Sequence, residues 1–160
     1  MMDEREFERR ARACTQRLFR ICYTILPDSA DRDDAIQEAL IKAWKKRGTL
    51  REEAYFETWL VRIAINECKS VLRRRKRSAT VELLESVPAP EAEMPDPTLR
   101  DALRHLDVKL RLPLMLHHCE GYTMEEVAQM TGVPLGTLKY RLRQARMQLR
   151  DELEKGGFER

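Results

Sequence analysis

Between positions 139 and 150 the chain carries five basic residues (Lys139, Arg141, Arg143, Arg146 and Arg150) and no acidic one. Leu135, Leu138, Leu142, Ala145 and Leu149 are interleaved with them at spacings of 3-4-3-4, which predicts one helix with a single apolar seam. That seam turns Thr137, Lys139, Tyr140, Arg141, Arg143, Gln144 and Arg146 outward. A helix is about 10–12 Å across and fits a DNA major groove, where Arg and Lys bond guanine and Gln bonds adenine. A run of charge is usually only a solvated face, but such a face normally mixes signs. Just upstream, Thr123 and Glu126 are spaced as a capping box, and Tyr122 and Val127 as its hydrophobic staple. Gly132 suits the tight turn after the short helix, and Pro134 stands where the long helix begins. Together these predict a helix-turn-helix that reads DNA.

A second constellation lies nearer the start. Tyr55 precedes a predicted helix that presents Arg62, Asn66, Lys69 and Arg73, and runs into the basic tract at positions 73–77. Cationic side chains can follow a phosphate backbone while aromatic rings stack on unpaired bases. Phe56 and Trp59 have the spacing of core residues, whereas Tyr55 is equally compatible with packing and with stacking. The helix before it carries a polar stripe, Asp34, Gln37, Glu38 and Lys42, beside Ile41 and Trp44. Its acid-rich start would repel DNA, which leaves two readings, a solvated face or a protein-binding surface with an exposed Trp as anchor.

The elements that hold these residues are predicted to be helices throughout. Of the 160 residues only 6 are Gly and 7 Pro, which disfavours a turn-rich β fold. Ahead of the linker, three or four helices are expected. Leu18, Ile21, Cys22 and Ile25 mark the first; Ile36, Ala39, Leu40 and Ala43 the second; Phe56, Trp59, Leu60, Ile63, Ala64, Val71 and Leu72 the third. The stretch at 78–98 holds four of the seven prolines and no basic residue, and reads as an extended linker. After it, Asp96 and Pro97 offer a helix start, Leu99, Ala102, Leu103 and Leu106 form one face, and a further helix spans about 110–119. The expected architecture is all-α, with two small helical domains at 1–77 and 99–160 joined by the acidic linker.

Charge follows the same division. The net charge of +3 conceals +6 over residues 1–77 (19 basic, 13 acidic), −5 over 78–98 and +2 over 99–160 (11 basic, 9 acidic). Two basic modules separated by an acidic strip suit a polyanionic partner. No apolar run approaches the ~20 residues of a membrane span, and the charged start does not resemble a secretory signal, so a cytoplasmic protein with no membrane insertion is expected. Cys14, Cys22, Cys68 and Cys119 are scattered, without metal-ligand spacing, and are expected to be small buried hydrophobes in a reducing compartment. No nucleophile–base pair and no metal cluster is legible, so neither an enzyme nor a cofactor is expected.

Three stretches carry a more specific message: residues 34–44 (DAIQEALIKAW), 56–66 (FETWLVRIAIN) and 132–142 (GVPLGTLKYRL). In these, and in their order about the linker, the chain resembles the bacterial RNA polymerase sigma factors of the sigma-70 family. The likeness is to the small extracytoplasmic-function (ECF) group, which keeps only conserved regions two and four, and it extends from about Cys14 to Leu153. The resemblance implies that Asp34, Gln37, Glu38 and Trp44 grip the clamp helices of the polymerase largest subunit. It implies that Tyr55, Arg62, Asn66, Lys69 and Arg73 recognise and melt the promoter minus-ten element. It further implies that Thr137, Lys139, Tyr140, Arg143, Gln144 and Arg146 read the minus-thirty-five element, that the flap of the second-largest subunit is a partner, and that an anti-sigma factor controls the protein. The acidic linker would follow the path that RNA later occupies. Three positions depart from the group: the loop at 50–55 has no Gly, Gln144 stands where many members are basic, and Leu106-Asp107 replaces a commoner Leu-Pro.

Overall fold

In a computed structural model, the structure describes residues 1–78 and 97–155, and every regular element among them is helical. They form two compact units, one N-terminal and one C-terminal. The acidic stretch lies almost wholly outside the described residues, as does Asp96; its edges are the last residue of one helix and the first of the next.

The N-terminal unit contains α1 (Glu4–Ile25), α2 (Ser29–Lys45) and α3 (Phe56–Ser78), with single 3-10 turns at Arg47–Thr49 and Glu53–Tyr55 between the last two. The Asp3 carboxylate caps α1 by accepting the Glu6 amide at 2.9 Å, and Asp28 caps α2 through the Ala30 amide at 3.1 Å. Pro27 follows the end of α1, where a residue without an N–H cannot continue a helix. Lys42 and Lys45 in the last turn of α2 face the negative end of its dipole. Leu18, Ile21 and Cys22 of α1 are buried with Ala35, Ala39 and Ala43 of α2 and Leu60, Ala64, Ile65 and Cys68 of α3. The alanines recur every fourth residue, so one narrow, small-residue stripe of α2 lets its neighbours approach closely.

The register of α3 differs from the expected stripe. Phe56, Leu60, Val61, Ala64, Ile65, Cys68 and Val71 are buried, while Trp59, Ile63 and Leu72 are only half-buried. Helix α3 packs against both α1 and α2, so its buried surface is broad and includes Val61, Ile65 and Cys68. One buried cation closes the α1–α2 corner. Arg32, 5% exposed, donates from Nη1 to the carbonyls of Leu26 and Pro27 at 3.3 and 3.4 Å and stacks over Tyr23. It thereby satisfies carbonyls at the end of α1 that no helical N–H can reach.

The C-terminal unit is built from α4 (Pro97–Arg104), α5 (Val108–Leu114), most of α6 (Met124–Thr131) and α7 (Leu135–Lys155). Leu103, Leu106, Leu114, Leu142 and Ala145 form its core, flanked by Leu99, Leu110 and Leu149. Asp107 is the N-cap of α5, accepting the Lys109 amide at 2.9 Å, so the residue found here in place of proline starts the helix itself. Pro113 sits inside α5, and the chain then makes a π-helical turn at Met115–Cys119, closed by the Glu120 amide on the Met115 carbonyl at 3.0 Å.

The capping box of α6 is formed on both sides: the Glu126 amide donates to Thr123 Oγ1 at 3.1 Å, and the Thr123 amide to Glu126 Oε1 at 2.9 Å. Gly132 ends α6 with φ +74°, and its N–H donates to the Ala128 carbonyl. An added Cβ at Gly132 would meet nothing within 4 Å, so a side chain there costs backbone strain alone. Gly132→Ala is therefore expected to lower unfolding stability by about 1–2 kcal/mol, read from the chemical denaturation midpoint at unchanged slope.

Candidate nucleic-acid interfaces

On α7 the buried seam is Leu138, Leu142 and Ala145, with Leu135 and Leu149 half-buried. Thr137, Lys139, Tyr140, Arg143 and Arg146 are exposed, and Arg141 and Gln144 are half-exposed at the margin of the face. Tyr140 is 62% exposed. The sequence places these groups on one helix; it does not reveal that Arg146 is held. Its Nη2 donates to Nε2 of His118, from the π-helical turn, at 3.0 Å. His117 beside it donates from Nδ1 to the Tyr122 carbonyl at 2.7 Å, and the two rings meet edge to face at 4.9 Å.

Burial, then the Arg146 guanidinium, then His117 hold the pKa of His118 below its ordinary 6.5. The imidazole is therefore neutral at pH 7 and can accept from Arg146. Because the folded-state value is depressed, the unfolded chain takes up this proton first, so the contribution of the site to stability is complete above pH 6.5 and declines as pH falls. The NMR titration midpoint of His118 is expected below 6.5. In Arg146→Ala it should rise toward 6.5 without reaching it, since burial, the largest cause, remains.

On α3, Arg62, Asn66 and Arg73 are exposed and Lys69 is half-buried; their spacing of 4-3-4 puts all four on one stripe, opposite the buried face. Tyr55 ends the 3-10 turn ahead of α3, 59% exposed, its amide bonded to the Glu52 carbonyl at 3.0 Å. Among the described residues only Gly121 and Gly132 have positive φ, so the loop at 50–55 makes its turns without needing glycine. The basic tract is not uniform. Arg75 bonds Asp31 at 2.5 Å and Asp28 at 3.2 Å, and these acidic partners hold its pKa above the ordinary value. It therefore ties α3 to the acidic start of α2.

Asp34, Gln37 and Glu38 are exposed on α2 and line a groove of about 430 Å³ with Ile41, Glu67 and Arg74. Ile41 is 45% exposed, and Lys42 bonds Glu67 across the groove at 2.5 Å. Trp44 does not line it and is not the exposed anchor expected from the sequence. It is half-buried, 5.3 Å from the Phe7 ring and capped by the Arg47 guanidinium 3.5 Å from its centroid. Glu67 and Arg74, the α3 wall of the groove, were not legible because they lie some thirty residues from the α2 wall.

Cys14, Cys22 and Cys68 are buried, as expected, but Cys119 is exposed on the π-helical turn. The Cys68 thiol is pushed up by its hydrogen bond with Cys22 and by burial, and that of Cys14 by burial and then Glu57, which leaves both chemically quiet. Among the described residues no group of acidic, His or Cys side chains could hold a metal ion.

Comparison with known proteins gives these surfaces their context. Residues 11–78 match the family model for sigma-70 region 2, and residues 98–149 that for sigma-70 region 4. The chain is 32% identical over 150 residues to the ECF RNA polymerase sigma factor SigM of Mycobacterium tuberculosis, covering 92% of this chain and 76% of that one. It is 33% identical over 159 residues to the RNA polymerase sigma-E factor of Streptomyces coelicolor, covering 92% and 86%. Among solved structures it resembles the sigma factor RpoE from Bartonella quintana, crystallised with the anti-sigma factor NepR, at a TM-score of 0.76 and 25% identity over 92% of this chain and 96% of that one. In fold it also resembles CnrH, solved with the cytosolic domain of CnrY, at a TM-score of 0.71 and 22% identity over 96% and 90%. The chain belongs to the ECF group of sigma-70 family RNA polymerase sigma factors. It is thus a transcription initiation factor and not an enzyme.

Proposed function

We propose that this protein binds core RNA polymerase and directs it to promoters through three surfaces. Asp34, Gln37 and Glu38 on α2 engage the clamp helices of the largest subunit, with Ile41 as the apolar contact in place of the inward-turned Trp44. Tyr55 and the α3 stripe of Arg62, Asn66, Lys69 and Arg73 hold the non-template strand of the minus-ten element. Thr137, Lys139, Tyr140, Arg143, Gln144 and Arg146 on α7 read the minus-thirty-five element. Melting is driven by capture of unpaired bases rather than by hydrolysis, each stacked base contributing about 1–3 kcal/mol.

The boundaries that fit this division are 1–77, 78–98 and 99–160, the acidic linker following the RNA path and the C-terminal domain meeting the flap of the second-largest subunit. No described helix is long and apolar enough to cross a membrane, in keeping with a cytoplasmic protein. An anti-sigma factor covering the polymerase-binding faces is the expected regulator, given that the similar sigma factor RpoE of Bartonella quintana was solved with one.

The observation that carries this proposal is that, in a chain with both sigma regions, α3 and α7 each present a basic face opposite their own unit's core. Binding to core polymerase, scored separately from transcription, tests the α2 surface. The charge reversals Asp34→Lys and Glu38→Lys together are expected to weaken the complex at least about tenfold, read by fluorescence anisotropy, because any cationic group that pairs with these carboxylates would then meet like charge. Unchanged affinity would remove α2 from the polymerase interface.

A further inference from the structure

The connection between α2 and α3 carries Tyr55, and it is gripped from outside the matched sigma region, which begins at residue 11. Arg10, in the second turn of α1, reaches across to the 3-10 turn Glu53–Tyr55. Its Nη1 donates to the Glu53 carbonyl at 2.8 Å, and its Nη2 bonds Glu53 Oε1 at 3.2 Å. The same carbonyl also accepts the Phe56 amide, so Arg10 and the start of α3 hold one acceptor. On its other edge the guanidinium is fixed by Glu6, whose Oε2 accepts from Nε at 2.6 Å.

The other end of the connection is held from the same side. Arg47 donates from Nε to the Met2 carbonyl at 3.1 Å and from Nη1 to the Trp44 carbonyl at 2.7 Å, its plane lying over the Trp44 ring. Phe7 lies between Trp44 and Phe56, at 5.3 and 5.6 Å, edge to face with each. Residues 2–10, which lead into and form the first turns of α1, therefore clasp both ends of the stretch that leads from α2 to Tyr55.

Partly exposed ion pairs contribute little to stability, because solvent screens them and long side chains lose freedom in forming them. What a forked guanidinium adds is geometry: it fixes a backbone carbonyl and a carboxylate in one orientation. From this arrangement we propose that Arg10 is a positioning residue for promoter melting, fixing the Glu53–Tyr55 turn so that the Tyr55 ring is presented to an unpaired base. Glu6, held ionised by Arg9 and Arg10 down to a pKa of about 2, keeps the Arg10 brace in place at every working pH.

The proposal rests on Tyr55 acting at the minus-ten element, and a double-mutant cycle separates the two. Arg10→Met, Arg10→Lys, Tyr55→Ala and the Arg10→Met/Tyr55→Ala pair are each assembled in the full chain with core polymerase. Permanganate reactivity of unpaired thymines reports promoter melting. Arg10→Met keeps the apolar stem and should slow melting about tenfold, with Arg10→Lys intermediate because its single ammonium cannot hold both acceptors. Core affinity and the thermal unfolding midpoint should stay as in the parent. On a Tyr55→Ala background Arg10→Met should cost less than about a further twofold, because its effect passes through that ring. The inference is overturned if Arg10→Met melts the promoter like the parent while Tyr55→Ala does not. It is equally overturned if the two losses multiply in full, or if Arg10→Met also lowers core affinity. Normal melting by Tyr55→Ala would instead overturn the role given to Tyr55 itself.

Discussion

Replacing Lys139 and Arg143 together by alanine is expected to abolish promoter selection while leaving the protein folded and bound to core polymerase. Both side chains are exposed on α7, opposite the seam of Leu138, Leu142 and Ala145, so the core packing is untouched. Surface substitutions of this kind usually change stability by less than about 0.5 kcal/mol. Each contact to a base edge is worth about 1–3 kcal/mol, so the pair should weaken holoenzyme binding to a minus-thirty-five element about 30-fold or more. The salt dependence tells how each side chain acts. Removing a side chain that binds phosphate lowers the slope of log K against log salt by about 1 and weakens all sequences alike. Removing one that reads a base edge relaxes discrimination at one position and leaves the slope nearly intact. Filter binding across a salt series, with matched and scrambled elements, separates the two. Unaltered affinity and slope for the double variant would show that α7 presents only a solvated basic face.

Tyr55→Ala carries the second large effect. The ring is 59% exposed at the end of a 3-10 turn, while of the neighbouring aromatics Phe56 is buried and Trp59 half-buried, their ring centroids 5.8 Å apart. Removing a ring on which an unpaired base stacks costs about 1–3 kcal/mol, or about 5- to 150-fold in the melted population. Tyr55→Phe keeps the stacking surface and should retain most of the activity. The measurement is the fraction of promoter rendered reactive to permanganate by saturating holoenzyme. Equal melting by Tyr55→Ala and the parent would assign Tyr55 to the surface and not to the strand.

What was legible in the sequence was local. The capping box of Thr123 and Glu126, the turn at Gly132 and the seam of α7 depend on residues three or four apart, and all are present as expected. The stripe on α3 was less so, since Val61, Ile65 and Cys68 are buried because α3 meets two helices at once, a fact that no single-helix period contains. The same limit applies to the side chains that the fold redirects. Trp44 packs edge to face with Phe7, far upstream, and Arg75 is taken by Asp28 and Asp31 at the start of α2. Arg146 meets His118 across 28 residues of sequence, from the π-helical turn that follows α5. Positions on a helix face could be placed from spacing; partners on another helix could not.

The function proposed for this chain is to confer promoter specificity on core RNA polymerase. Run-off transcription with purified core polymerase on fragmented genomic DNA tests it most directly, with complex formation scored in parallel. Adding the protein should produce discrete new transcripts with common upstream elements, and the Lys139→Ala/Arg143→Ala variant should lose them while still binding core. Formation of the complex without any new promoter-specific transcript, or no complex at all, would contradict it.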